Sequence, residues 1–110
     1  MIFVDGCQYA NWSERIFREM NEGGVGAVHV TVTYHEDFRE TVENIIDWHR
    51  MFERFPDLIV PGRTADDVRN AHKVGRTAII FGFQNCSPIE DDIGLIEKDN
   101  KHGCRFMQNN

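Results

Sequence analysis

Gly75-Arg76-Thr77-Ala78-Ile79-Ile80-Phe81-Gly82-Phe83 decides the fold. Thr77–Phe83 is a short apolar, partly β-branched run of the kind that becomes a buried strand, and Gly75 closes the helix before it. That helix starts at Thr64, a natural N-cap, and shows Val68, Ala71 and Val74 at helical spacing. Further upstream, Ala27–Thr33 is a second β-branched strand. It follows Gly23-Gly24, which ends a helix capped by Ser13 and carrying Ile16, Phe17 and Met20. Glu36 to about Phe55 reads as the longest helix, with Phe38, Val42, Ile45, Ile46, Met51 and Phe52 as its apolar stripe and Pro56 as its stop. Leu58–Val60 is a brief extended piece. At the start, Ile2–Val4 is a strand stopped by Asp5-Gly6. Downstream, Asp91–Lys98 is a short helix and Cys104–Gln108 a last strand. Strands alternating with helices mean parallel strands and right-handed crossovers. Four main strands fit a small open α/β sheet or part of a (β/α)8 TIM-type barrel. A full barrel takes roughly 200 residues or more, and 110 residues supply about half of one.

The composition bounds the function. The chain is 41% hydrophobic and 27% charged, the balance of a globular domain rather than a disordered one, and residues 1–110 are read as a single domain. Its net charge of -6, with Arg and Lys scattered among acids, argues against a nucleic-acid partner. No apolar run nears the ~20 residues of a membrane span, and Met1-Ile2-Phe3-Val4-Asp5 has no signal-peptide character. Cys7, Cys86 and Cys104 are odd in number and widely spaced, so reduced thiols and a cytoplasmic location are expected.

Individual residues add little chemistry of their own. Alternation in Ala27–Thr33 puts His29, Thr31 and Thr33 on one face and Val28, Val30 and Val32 on the other, with His29 as a hydrogen-bonded structural residue. His35, His49, His72 and His102 read as loop or surface residues. No His-x-His or His-Glu-x-x-His spacing offers a metal motif. Gly82 suits close packing in a barrel interior or a bulge. Glu90-Asp91-Asp92 reads as an acidic helix start, and Trp12 and Trp48 as helix residues packed on the sheet.

Several blocks in collinear order carry a resemblance. Gly23-Gly24-Val25-Gly26-Ala27, Thr41 to Met51, Gly75 to Gly82, Asp91 to Glu97 and Gly103 to Met107 resemble the renal (membrane) dipeptidase family, over nearly the whole chain. The resemblance implies the N-terminal half of a (β/α)8 barrel, two zinc ions at the carboxyl ends of the strands, and hydrolysis of dipeptide-like small molecules. In that family the first strand ends in Asp-Gly-His-x-Asp and the third in a Glu that bridges the metals.

This chain departs at those positions. Asp5-Gly6 is kept, but Cys7 stands at the His position, Tyr9 at the Asp position and Gln84 at the bridging Glu position. Two cations ~3.5–4 Å apart need anionic ligands to offset their repulsion. Gln84 is neutral, Tyr9 would have to ionise from a pKa of ~10, and one Cys7 thiolate does not make a site. Asp99-Asn100-Lys101-His102 is also polar where the family's helix is apolar. The end at Gln108-Asn109-Asn110, in or just after the fourth strand, reads as truncation. The expectation is a dipeptidase-like metallohydrolase segment, inactive alone, with zinc weak or absent. The rival is a non-enzymatic α/β module that self-associates or complements another chain through exposed strand edges; a Cys7-dependent enzyme is a third option.

Overall fold

The computed structural model describes residues 1–8, 10–33, 37–83 and 87–107, and within these it leaves out the side chains of Cys7, Thr33 and Ser87. β2 (Val25–Thr33) and β4 (Thr77–Phe83) form the centre of a parallel sheet, in register from Ala27↔Ala78 to Thr31↔Gly82. β1 (Phe3–Gln8) pairs parallel with the free side of β2. On the far side of β4, β3 (Ile59–Pro61) pairs with Thr77–Ile79 and β5 (Cys104–Met107) with Phe81–Phe83. The brief extended piece at Leu58–Val60 is thus a true strand, shifted by one residue.

Period-2 alternation sorts the side chains as expected. Val28, Val30, Val32, Ile79, Phe81 and Phe83 enter one core with Phe17 and Met20 of α1 (Glu14–Glu22) and Ile45 and Trp48 of α2 (Phe38–Arg54). Each fully buried side chain of this kind stabilises the fold by roughly 1.5–3 kcal/mol. A second cluster joins Ala27 and Ala78 to Ala71 of α3 (Ala65–Lys73), where three small residues let helix and sheet approach closely. α3 is well terminated: Thr64 Oγ1 accepts from Asp67 N, and the Asp67 carboxylate accepts from Thr64 N in return.

Four sequence expectations need correction. β1 does not stop at Asp5-Gly6 but runs through to Gln8, because pairing with β2 carries it past a bulge: Asp5↔Val28 is followed by Gln8↔Val30. Trp12 precedes α1; its ring stacks on Phe17 at 6.1 Å and meets Trp48 edge-on at 5.3 Å. α4 spans Leu95–Lys101 and starts later than Asp91, since Ser87–Ile89 forms a 3-10 turn and Asp92 accepts from the backbone N–H groups of Gly94 and Leu95. The acids therefore sit ahead of the helix. α2 starts at Phe38, with Asp37 as its N-cap accepting from Glu40 N.

Candidate functional site

In an all-parallel sheet the strands' carboxyl ends are where loops gather and sites form. Three ladders lose regular register toward that end: between Asp5 and Gln8, between Thr31 and Thr33, and between Phe81 and Gly82. Such irregularities re-aim side chains and cluster beside active sites.

One cross-strand layer lies just below this edge. The β1 bulge presents the Gly6 carbonyl to β2, where His29 Nδ1 donates to it at 2.6 Å. A carbonyl only accepts, so Nδ1 carries a proton. His29 is 9% exposed, and its Nε2 is buried with no hydrogen-bond partner among the described residues. Across the sheet, Gly82 leaves room for the imidazole: a Cβ there would overlap Nε2 and stand 2.5 Å from Cδ2. Phe106 of β5 covers the ring at 4.7 Å between centroids. His29 is therefore the hydrogen-bonded structural residue expected, and Gly82 the close-packing glycine. Gln8, the last residue of β1, likewise has a buried Oε1 with no partner among the described residues.

The edge is braced from outside. Asn44 of α2 donates to the Val32 carbonyl at 2.8 Å, and the Glu90 carboxylate accepts from Phe38 N at 3.2 Å, tying the start of α2 to the segment after β4. Glu90 holds a positive φ of 51°, and sequence reading took it only as part of an acidic run.

The family-derived ligand positions fall around this edge in the sequence. Cys7 is in β1, with its side chain undescribed. Tyr9 directly follows Gln8, and Gln84 directly follows Phe83, the last residue of β4; both lie outside the described residues, as does His35. Among the described residues no three His, Cys, Asp or Glu side chains are grouped to hold a metal ion. No described helix is long and apolar enough to cross a membrane. His49 and Arg63 line a separate cavity of about 680 Å³ beside α3. Burial there lowers the His49 pKa, the Arg63 charge lowers it further, Glu53 opposes and His102 adds to the lowering.

Sequence reading missed Asp99. The residue is 2% exposed on α4, and among the described residues neither carboxylate oxygen has a hydrogen-bond partner. Burial pushes its pKa up to about 6. The available signal was its place four residues after Leu95, which puts both on one helix face. The neighbouring Cys104 is a buried free thiol whose pKa burial, and then the Asp99 charge, push up to about 12.

A parallel strand–helix succession with its irregular edge at the strands' carboxyl ends defines part of a TIM-barrel-type α/β fold. The model of the membrane dipeptidase family, peptidase family M19, matches residues 10–110, and the chain belongs to that family. Dipeptidase aclJ of Aspergillus oryzae (strain ATCC 42149 / RIB 40) is 27% identical over 103 residues, which is 92% of this chain and 22% of that protein. Among solved structures, an amidohydrolase from Pseudomonas aeruginosa superposes with a TM-score of 0.94 at 35% identity, over 98% of this chain and 34% of that one. The probable dipeptidase PvdM of the same organism superposes at 0.78 with 14% identity, over 99% of this chain and 34% of its own, and supports the fold alone. The chain thus spans about a third of these solved structures and less of the curated relative.

Proposed function

We propose that this chain is the opening part, N-terminal half in strand count, of the barrel of a dipeptidase-type metallohydrolase, and that alone it neither holds the family's zinc pair nor hydrolyses dipeptides. The observation that carries the reading is the donor set. Cys7, Tyr9 and Gln84 stand where the family's first and third strands supply His, Asp and a bridging Glu. Two neutral oxygens and one thiol do not offset the charge of two adjacent cations. The donors present therefore do not fit a dinuclear zinc centre. A dipeptide-like substrate belongs to a longer parent protein, in keeping with relatives of which this chain covers 22% and 34%. The test is metal analysis after mild dialysis together with a dipeptide hydrolysis assay. We expect substoichiometric zinc and no turnover; one or more zinc ions per chain with turnover would overturn the proposal.

A second reading has its own observation. On the outer strands, Phe3 and Val4 of β1 are 61% and 57% exposed and Phe106 of β5 is 52% exposed. Among the described residues β1 and β5 each pair on one side only. Unpaired parallel edges with exposed apolar side chains favour association with another copy or with a complementary barrel segment. Light scattering over a range of concentrations separates the readings: a mass that climbs with concentration supports association, and a constant monomer mass removes it.

A further inference from the structure

The cavity of about 680 Å³ beside α3 is a groove along that helix. Asp67, Asn70, Ala71 and Val74 line it at helical spacing, from the first turn of α3 to its C-cap. Val60 and Pro61 of β3 form the adjoining wall. Arg63 lines it from just before the N-cap Thr64, and Arg76 from just past the C-cap Val74. At roughly 1.5 Å per residue the helical wall is about 10 Å long, with an arginine beyond each end.

Those two guanidiniums stand apart from the others. Of the nine arginines, five pair with an acid on their own helix, Arg54 lies over the Phe55 ring, and Arg105 donates to Asn100 and Cys104. Among the described residues the Arg63 and Arg76 guanidiniums have no hydrogen bond or ion pair. Arg63 is exposed and Arg76 and His49 are partly exposed, so a molecule in the groove can reach all three. Burial and then the Arg63 charge lower the His49 pKa, which sets a neutral imidazole near that guanidinium. Asp67 is the acid of the wall, and its Oδ2 accepts from the Arg63 and Thr64 N–H groups. Glu53 acts on His49 but does not line the groove.

We propose that this groove binds a small organic diacid, with one carboxylate on Arg63, the other on Arg76, and an uncharged span between them along Val60, Pro61 and Ala71. The guanidinium fork matches a carboxylate in shape and charge. A single ion pair open to water is weak. Two made by one molecule reinforce each other, because the second closes at high effective concentration once the first has formed. The Asp67 carboxylate disfavours a charged middle, and the length of the wall disfavours a short diacid. The chain's net charge of -6 supplies no general pull on anions, so the attraction is local. The inference does not depend on Cys7, Tyr9 or Gln84, so it stands or falls apart from the dipeptidase reading.

The experiment is a titration of the 110-residue chain with suberate, a long flexible diacid, and separately with suberic acid monoamide and with malonate. It is run near neutral pH at about 0.15 M ionic strength and followed by NMR shifts at Val60, Asn70 and Arg76. The monoamide keeps the length and loses one charge; malonate keeps both charges and loses the length. We expect suberate to bind about fivefold or more tightly than either. Arg63→Gln and Arg76→Gln should each bring suberate down to the level of the monoamide. Arg69→Gln should leave it unchanged, since Arg69 pairs with Asp66 and does not line the groove. Suberate no tighter than the monoamide, malonate as tight as suberate, or a preference that survives either groove variant would each overturn the proposal. Equal weakening by Arg69→Gln would overturn it too, because the attraction would then be diffuse. The three-ligand ratio on the unaltered chain keeps the test decisive if a variant does not fold.

Discussion

The centre of the sheet and its β5 flank are built to different standards. At the centre, space is filled and most buried polar side chains are tied into the sheet, with His29 Nε2 and Gln8 Oε1 the exceptions among the described residues. Asn21 donates to the Leu58 carbonyl and to Thr77 Oγ1, and Thr77 Oγ1 donates to the Val25 carbonyl, so one small network ties α1 to the starts of β2, β3 and β4. His29 fits the hollow left by Gly82. At the flank, α4 begins at Gly94 without a side-chain cap, buries an unpaired Asp99, and stands beside a half-exposed Phe106. The centre is closely packed, whereas the flank buries a carboxylate with no hydrogen-bond partner among the described residues.

The strongest way to break the centre is Gly82→Ala. The new methyl group would occupy the place of the His29 ring, and forced overpacking costs about 1–3 kcal/mol or more. The double variant Gly82→Ala with His29→Ala should recover much of the loss, because the collision is then gone. Urea melts of the four proteins in that cycle give the coupling; a Gly82→Ala chain as stable as the parent would show that the two residues do not share the space.

Thr77→Val comes next. It keeps the shape but removes the hydroxyl, leaving the Val25 carbonyl and one Asn21 N–H contact unmet inside the sheet. A loss of about 1–3 kcal/mol in chemical denaturation is expected. A loss under about 0.5 kcal/mol, the size of an ordinary surface change, would mean the network contributes little and would blur the contrast with the flank.

This contrast also marks what a reader of the sequence sees. β4 was legible as an apolar run after Gly75, β2 as a β-branched run after Gly23-Gly24, and α1 and α3 because Ser13 and Thr64 announce their starts. The β1 bulge was not, since Asp5-Gly6 alone has the look of a turn and only pairing with β2 keeps it extended. The bond from His29 to Gly6 joins residues 23 apart and has no local signature. Asp99 lies in a polar stretch that resembles a solvated turn; helix phase, set by Leu95, turns it inward. The candidate ligand positions Cys7, Tyr9 and Gln84 became visible through family resemblance, because no spacing of theirs constitutes a metal motif.

The smallest expected effect probes the flank through pH. The Asp99 pKa is raised by burial from its ordinary 3.8 to about 6. A carboxyl with a raised folded pKa binds its proton more readily in the folded chain than in the unfolded one. Its destabilising effect is therefore fully present above about pH 6, is relieved as pH falls through that value, and is gone below its unfolded pKa. The neighbouring groups do not produce the same signal: burial keeps the Cys104 thiol protonated, Arg105 donates to neutral oxygens of Asn100 and Cys104, and Glu97 is an exposed partner of Lys101. The comparison is the stability of the parent chain minus that of Asp99→Leu, measured at pH 7.5 and at pH 4.5. At pH 7.5 the leucine variant should be the more stable by about 1–2 kcal/mol, a figure set below the full two-unit linkage because the flank around Asp99 is open to solvent at Ile93 and Ile96. At pH 4.5 most of that advantage should vanish. An advantage that stays constant with pH would show that leucine acts by packing alone, and that the carboxylate is paired by a group that makes the flank as complete as the centre.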